Sequence, residues 1–112
     1  MRLAIPKAYR SELPDTVYIT CENDHLCIYS DSEFNKHLEI LNSALGPDHG
    51  KMRDAFSLCE KCSFDMQGRI RLPLRFLNML NIEQNSGIIC IGVYDHVCIY
   101  REDIYEQLEY II

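Results

Sequence analysis

No stretch of this 112-residue sequence stays apolar for long. The longest such run, Ile88 to Tyr94, holds seven residues with Gly92 counted, against the roughly 20 that a membrane-spanning helix requires. The opening Met1-Arg2-Leu3-Ala4-Ile5-Pro6 lacks the apolar length of a secretory signal and is broken early by proline. A cytosolic protein is therefore expected. Positive charge is also scarce: 11 basic side chains stand against 17 acidic ones, a formal net charge of −6. That sum argues at first against a nucleic-acid partner, although the distribution of charge matters more than its total. Catalytic signatures are missing as well, with no G-x-S-x-G, no H-E-x-x-H and no phosphate loop. The carboxylates fall mostly in turns and on helix surfaces. No enzyme, cofactor or small-molecule substrate is expected.

What is present describes one soluble domain spanning 1–112. An apolar share of 47% with 25% charged residues suits a modest globular core and is too apolar for disorder. The six cysteines, in a chain read as cytosolic, are expected to be free and mostly buried thiols. Cys59-x-x-Cys62 has zinc-like spacing, but a structural site needs four ligands, and no second C-x-x-C or H-x-x-x-H follows. No metal site is assigned, and a redox role is set aside because the pair does not open a helix after a strand.

The sequence repeats itself. Asp24-His25-Leu26-Cys27-Ile28-Tyr29 recurs as Asp95-His96-Val97-Cys98-Ile99-Tyr100, differing only by a Leu/Val exchange. Upstream, Arg2-Leu3-Ala4-Ile5-Pro6 matches Arg69-Ile70-Arg71-Leu72-Pro73. The second copy holds four extra residues between these landmarks, best placed in the loop from Asn81 to Gly87. The first repeat is read as 1–45, a helical connector as 46–58 and the second repeat as 59–112.

Both halves predict the same elements. Arg69-Ile70-Arg71-Leu72 alternates charged and apolar residues, the period of a half-buried strand. Pro73 then ends the strand and leads into a short helix, Leu74 to Leu80, with Lys7 to Leu13 as its counterpart. β-Branched and aromatic runs predict strands at 16–21 and 88–93, with tight turns leading to strands at 25–29 and 96–100. Ser30 and Glu33 form a capping box before an apolar helical stripe of Phe34, Leu38, Leu41 and Leu45. Gly46-Pro47-Asp48-His49-Gly50 breaks the chain before a helix from Lys51 to Leu58, and Glu102 to Tyr110 is the closing helix. Neither half buries enough surface alone. Packing about a pseudo-twofold axis solves this, and the expected fold is α+β: a small interleaved β-barrel with peripheral helices. His25 and His96, as repeat mates, could meet across that axis to bind a metal or sense pH. The plainer reading, adopted here, is that each ring hydrogen-bonds its own turn.

Charge is grouped. Residues 1–10 hold Arg2, Lys7 and Arg10, and residues 66–82 hold Arg69, Arg71 and Arg75, with no acid in either island. The other 85 positions carry 5 basic and 17 acidic residues. Because the islands occupy equivalent places in the repeat, symmetry is expected to set them on one face. Such a face suits local phosphate neutralisation, while the acidic remainder limits non-specific adhesion. Solubilising strand edges is the competing explanation, and recurrence in both halves favours the functional one.

Asp65-Met66-Gln67-Gly68-Arg69-Ile70-Arg71-Leu72-Pro73 resembles the D-x-x-G-R-x-x-x-P signature of the MraZ family, which is related to AbrB-type DNA-binding folds. The resemblance continues through Gly92-Val93 and the strand His96 to Tyr100 to Tyr105 and Leu108, and in the first half from Arg2 to Leu38. It implies a swapped-hairpin, AbrB-like barrel and a transcriptional regulator that binds double-stranded DNA. It further implies nucleoid association and homo-oligomeric rings on direct repeats upstream of division and cell-wall genes. The DNA-contacting set would be Arg2, Lys7, Asp65, Gly68, Arg69, Arg71 and Arg75. In physical terms, Gly68 can take a positive φ, Asp65 can accept backbone N–H bonds or hold a guanidinium, and Arg69 offers a planar fork to phosphate or guanine.

The first repeat departs from the pattern. It keeps Arg2 but lacks the preceding strand, Asp and Gly, and Ala4 stands where the second repeat has Arg71. Either the true start lies upstream, or this half has lost part of a hairpin and presents an unpaired strand edge. Two rival functions remain open. One is an assembly module that kept the fold and lost DNA binding. The other is an AbrB-type antitoxin, distinguished by a neighbouring toxin gene.

Overall fold

Leu26, Ile28, Val97 and Ile99 recur at every second position of the two D-H-x-C-I-Y segments, so one face of each segment must be buried. The computed structural model, which describes residues 1–45 and 49–109, pairs these segments as neighbouring strands. In chain order the elements are β1 (Arg2–Ala4), α1 (Lys7–Arg10), β2 (Thr16–Cys21), β3 (His25–Tyr29), α2 (Asp31–Leu45) and α3 (His49–Ser57). They continue with β4 (Cys59–Ser63), β5 (Arg69–Arg71), α4 (Leu74–Met79), β6 (Ile88–Val93), β7 (His96–Arg101) and α5 (Glu102–Glu109).

The protein is α+β, with two antiparallel sheets among the described residues. β1 and β5 form a two-stranded ribbon, and the larger sheet runs β4-β2-β3-β7-β6. This corrects the expected closed barrel. The halves do interleave, since β4 of the second half pairs with β2 of the first and β1 pairs with β5. Closure fails because β6 and β4 remain at opposite edges of the larger sheet, and the ribbon packs across it instead. The edges of the larger sheet, β4 and β6, therefore both come from the second half. The unpaired edge expected in the first half is covered by β4.

Two registers reveal the symmetry. In the ribbon Leu3 faces Ile70, and in the large sheet Cys27 faces Cys98. Each of these residues faces its own repeat counterpart, and the flanking pairs, Arg2↔Arg71 with Ala4↔Arg69 and Leu26↔Ile99 with Ile28↔Val97, exchange on rotation.

The main core lies between the sheets. Val17, Ile19, Leu26, Ile28 and Ile99 meet Ile70 from the ribbon and Phe76 and Leu77 from α4. A smaller cluster of Cys27, Tyr29, Cys98 and Phe34 fills the opposite face under α2. The Ser30 hydroxyl accepts from the Glu33 N–H at 3.3 Å, one arm of the expected capping box. Leu38 of the predicted stripe packs on this second cluster, while the side chain of Leu45 lies outside the described set.

Several boundaries differ from expectation for local reasons. α1 stops at Arg10 rather than Leu13, because a residue before proline disfavours helical backbone and Pro14 follows Leu13. α3 starts at His49, two residues before Lys51. A glycine costs about 1 kcal/mol inside a helix, but Gly50 sits in the first turn. Of the expected break at Gly46-Pro47-Asp48-His49-Gly50, His49 and Gly50 are helical, while residues 46–48 and the helix end at Tyr110 fall outside the described residues. In the longer loop of the second half, Asn81 takes φ 55°, a left-handed conformation that asparagine tolerates better than most side chains.

Candidate nucleic-acid interface

Alternation along the ribbon sorts its residues. Ile70 is fully buried and Leu3 half-buried beneath the ribbon, which turns Arg2, Ala4, Arg69 and Arg71 to the other face. Arg2 lies directly across from Arg71. The structure thus brings three of the predicted site arginines together on one solvent-facing surface.

The turn before β5 holds that surface in place. The Gly68 N–H donates to the Asp65 carbonyl at 3.0 Å, and the Asp65 N–H donates to the Arg69 carbonyl at 2.8 Å. Gly68 has φ 74°. A tight turn closed by a left-handed glycine is a common way to join two antiparallel strands. One Asp65 oxygen, Oδ1, accepts the backbone N–H groups of Gln67 and Arg69, each at 2.9 Å. The other, Oδ2, accepts from Arg69 Nε and from Arg2 Nη1, both at 3.1 Å. The N–H bond from Arg69, with help from Gln67 and the Arg69 guanidinium, holds the Asp65 carboxyl below its ordinary value. A single carboxylate therefore ties together the equivalent arginines of both halves.

Nothing lies within 4 Å of the position where a Gly68 side chain would begin. Gly68→Ala should consequently lose only the conformational preference, about 1–2 kcal/mol. Urea unfolding would show this as a lower midpoint, and an unchanged midpoint would mean that the turn relaxes freely.

The other predicted residues divide. Lys7 is exposed at the start of α1, just beyond β1, and neither it nor Arg71 makes an ion pair among the described residues. Arg75 is committed to the chain itself. Its Nε donates to Glu60 at 2.7 Å, its Nη1 to the Ser57 carbonyl at 2.5 Å, and its guanidinium lies 4.5 Å from the Phe76 ring centre. Arg10, part of the first basic island, acts similarly. It bonds the Leu13 carbonyl at 2.9 Å and Asp15 at 3.1 Å and stacks 4.0 Å over Phe64.

Met66 stands fully exposed at the tip of the Asp65 turn, a placement that no residue pattern signals. An exposed residue at the end of an ordered hairpin is visible only once the hairpin is built. Cys59 and Cys62 do not converge. Cys59 packs toward the smaller cluster and Cys62 toward the main core, as expected of residues three apart on a strand. Each of His25 and His96 bonds the aspartate of its own turn, Asp24 at 2.7 Å and Asp95 at 2.5 Å.

Comparison with known proteins gives this surface a context. A family model described as "MraZ protein, putative antitoxin-like" matches residues 55–111, which include the Asp65 turn and β5. A protein named transcriptional regulator MraZ from Mesomycoplasma hyopneumoniae (strain 7448) is 32% identical over 111 residues, covering 95% of this chain and 74% of the relative. The same-named protein of Alkaliphilus metalliredigens (strain QYMF) is 32% identical over 114 residues, covering 95% and 76%. That of Limosilactobacillus fermentum is 32% identical over 100 residues, covering 85% and 68%. The chain belongs to the MraZ family.

Proposed function

We propose that this protein is a transcriptional regulator that binds double-stranded DNA through the outward face of the β1–β5 ribbon. The observation that carries the reading is the convergence of Arg2, Arg69 and Arg71 on one rigid surface, held by Asp65. A major groove admits a two-stranded ribbon, and guanidinium forks suit both phosphate and guanine. The names of the curated relatives support the regulatory role. Lys7 adds a phosphate contact beside the ribbon, Gly68 and Asp65 aim the arginines, and Arg75 supports the surface by tying α4 to Glu60 and Ser57.

Residues 1–45 and 59–112 are read as two repeats of one domain, joined by 46–58. Several copies of the domain assemble into an oligomer, such as a ring, that spans repeated sites in a promoter of division or cell-wall genes. Its place of work is the cytoplasm, on the nucleoid. No catalytic step is assigned to it.

The test is an electrophoretic shift on the DNA upstream of the protein's own gene, run across a salt series. Arg69→Ala should weaken binding and flatten the salt dependence by about one unit of log–log slope. Retention equal to that of the unaltered protein at every salt concentration would remove the ribbon from the interface.

A further inference from the structure

Residues two apart on a strand share a face, so the repeated His-x-Cys pairs confront each other where β3 meets β7. Cys27 stands directly across from Cys98, and His25 across from Tyr100. The nitrogen and sulfur ligand atoms of His25, Cys27 and Cys98 all lie within 4.8 Å of one another. His96 does not join the cluster, and its ring stacks on Tyr29 with centroids 4.8 Å apart.

The surroundings suit a bound cation. The cysteines are 2% and 5% exposed, whereas the His25 side chain keeps 20% of its surface open as an entry path. The ring is held flat against Tyr100, with centroids 4.5 Å apart. Its Nδ1 is engaged by Asp24 at 2.7 Å, which leaves Nε2 as the coordinating nitrogen. A carboxylate behind an imidazole is the usual outer support of a histidine metal ligand.

We propose that His25, Cys27 and Cys98 form a binding site for one thiophilic transition-metal ion of the Zn2+ class. Two sulfurs and an imidazole select such an ion over Mg2+ or Ca2+. Three protein ligands leave a fourth position for water or another donor. Binding releases thiol protons, because the metal takes each sulfur as thiolate. The ion would bridge the two halves of the protein at the centre of the large sheet, behind the strands that back the main core.

The full chain, stripped of metal by a chelator and kept reduced with a phosphine, is titrated with Co2+ and then Zn2+. One Co2+ per chain should bind with an intense thiolate-to-cobalt absorption, Zn2+ should displace it, and bound Zn2+ should raise the thermal midpoint. Cys98→Ala should abolish the absorption. His25→Gln, at a partly exposed position, tests the site even if Cys98→Ala fails to fold, and should weaken binding about tenfold or more. The Cys59→Ala/Cys62→Ala double variant should retain the signal. Absence of thiolate-to-cobalt absorption in the folded protein would overturn the proposal. So would its survival in Cys98→Ala, unweakened binding in His25→Gln, or its loss in the Cys59/Cys62 variant alone.

Discussion

Phe76→Ala is expected to destabilise the fold by about 3–5 kcal/mol, the usual loss when a fully buried phenyl ring is removed. Phe76 is 0% exposed and projects from α4 into the main core beside Ile70 and Leu77. A six-residue helix has little stability of its own, so the ring anchors the segment that follows the ribbon. The substitution also strips the apolar platform from the Arg75 guanidinium. Small domains are typically stable by about 5–15 kcal/mol in total, so this variant should be marginal at best. Urea unfolding should show a much lower midpoint with little change in slope, and Phe76→Leu should recover most of the difference. A loss below about 1 kcal/mol would mean that the core closes over the vacancy, contrary to the packing described.

The combined variant Arg2→Ala/Arg69→Ala/Arg71→Ala should flatten the log–log salt dependence of DNA binding by about three units, near 0.9 for each lost phosphate contact. The fold should persist, because all three side chains lie on the solvent face and Leu3 and Ile70 beneath them are untouched. The electrostatic change exceeds simple deletion. Asp65 would remain on the ribbon with neither arginine partner, so the surface would reverse its sign. Circular dichroism identical to that of the unaltered protein, together with collapsed binding at moderate salt, is the expected pair of results. Binding that keeps its original salt dependence would show that DNA, if held at all, is held elsewhere.

Much of this was legible in the residues. The strands at 16–21, 25–29 and 88–93 fall where β-branched and aromatic runs and their turns put them, and β7 extends only one residue further, to Arg101. Duplication implied symmetry, and the registers Leu3↔Ile70 and Cys27↔Cys98 carry it. β4 was hard to see because Cys59-Glu60-Lys61-Cys62-Ser63 has no two-residue hydrophobic period. It is a strand because β2 offers an edge. Sheet closure was not readable either. It depends on how far strands twist and overlap, which local pattern does not encode.

The arginines show the same division. Motif and repeat together single out Arg2, Arg69 and Arg71. Arg75 resembles them in sequence, yet its contacts with Glu60 and Ser57 come from β4 and the end of α3. Three-residue spacing drew attention to Cys59 and Cys62, although a strand separates such residues onto opposite faces. The two-residue His25-x-Cys27 pair was the one able to cooperate, and its partner Cys98 comes from the other repeat.

Rotation about the pseudo-twofold leaves most contacts in duplicate, but Leu3 against Ile70 and Cys27 against Cys98 occur only once. Elsewhere one copy of a position can differ while its twin keeps the interaction, as Ala4 differs from Arg71. On the axis there is no twin in reserve. These four residues are therefore where inherited variation should be most tightly coupled, each change demanding an answering change in its own duplicate.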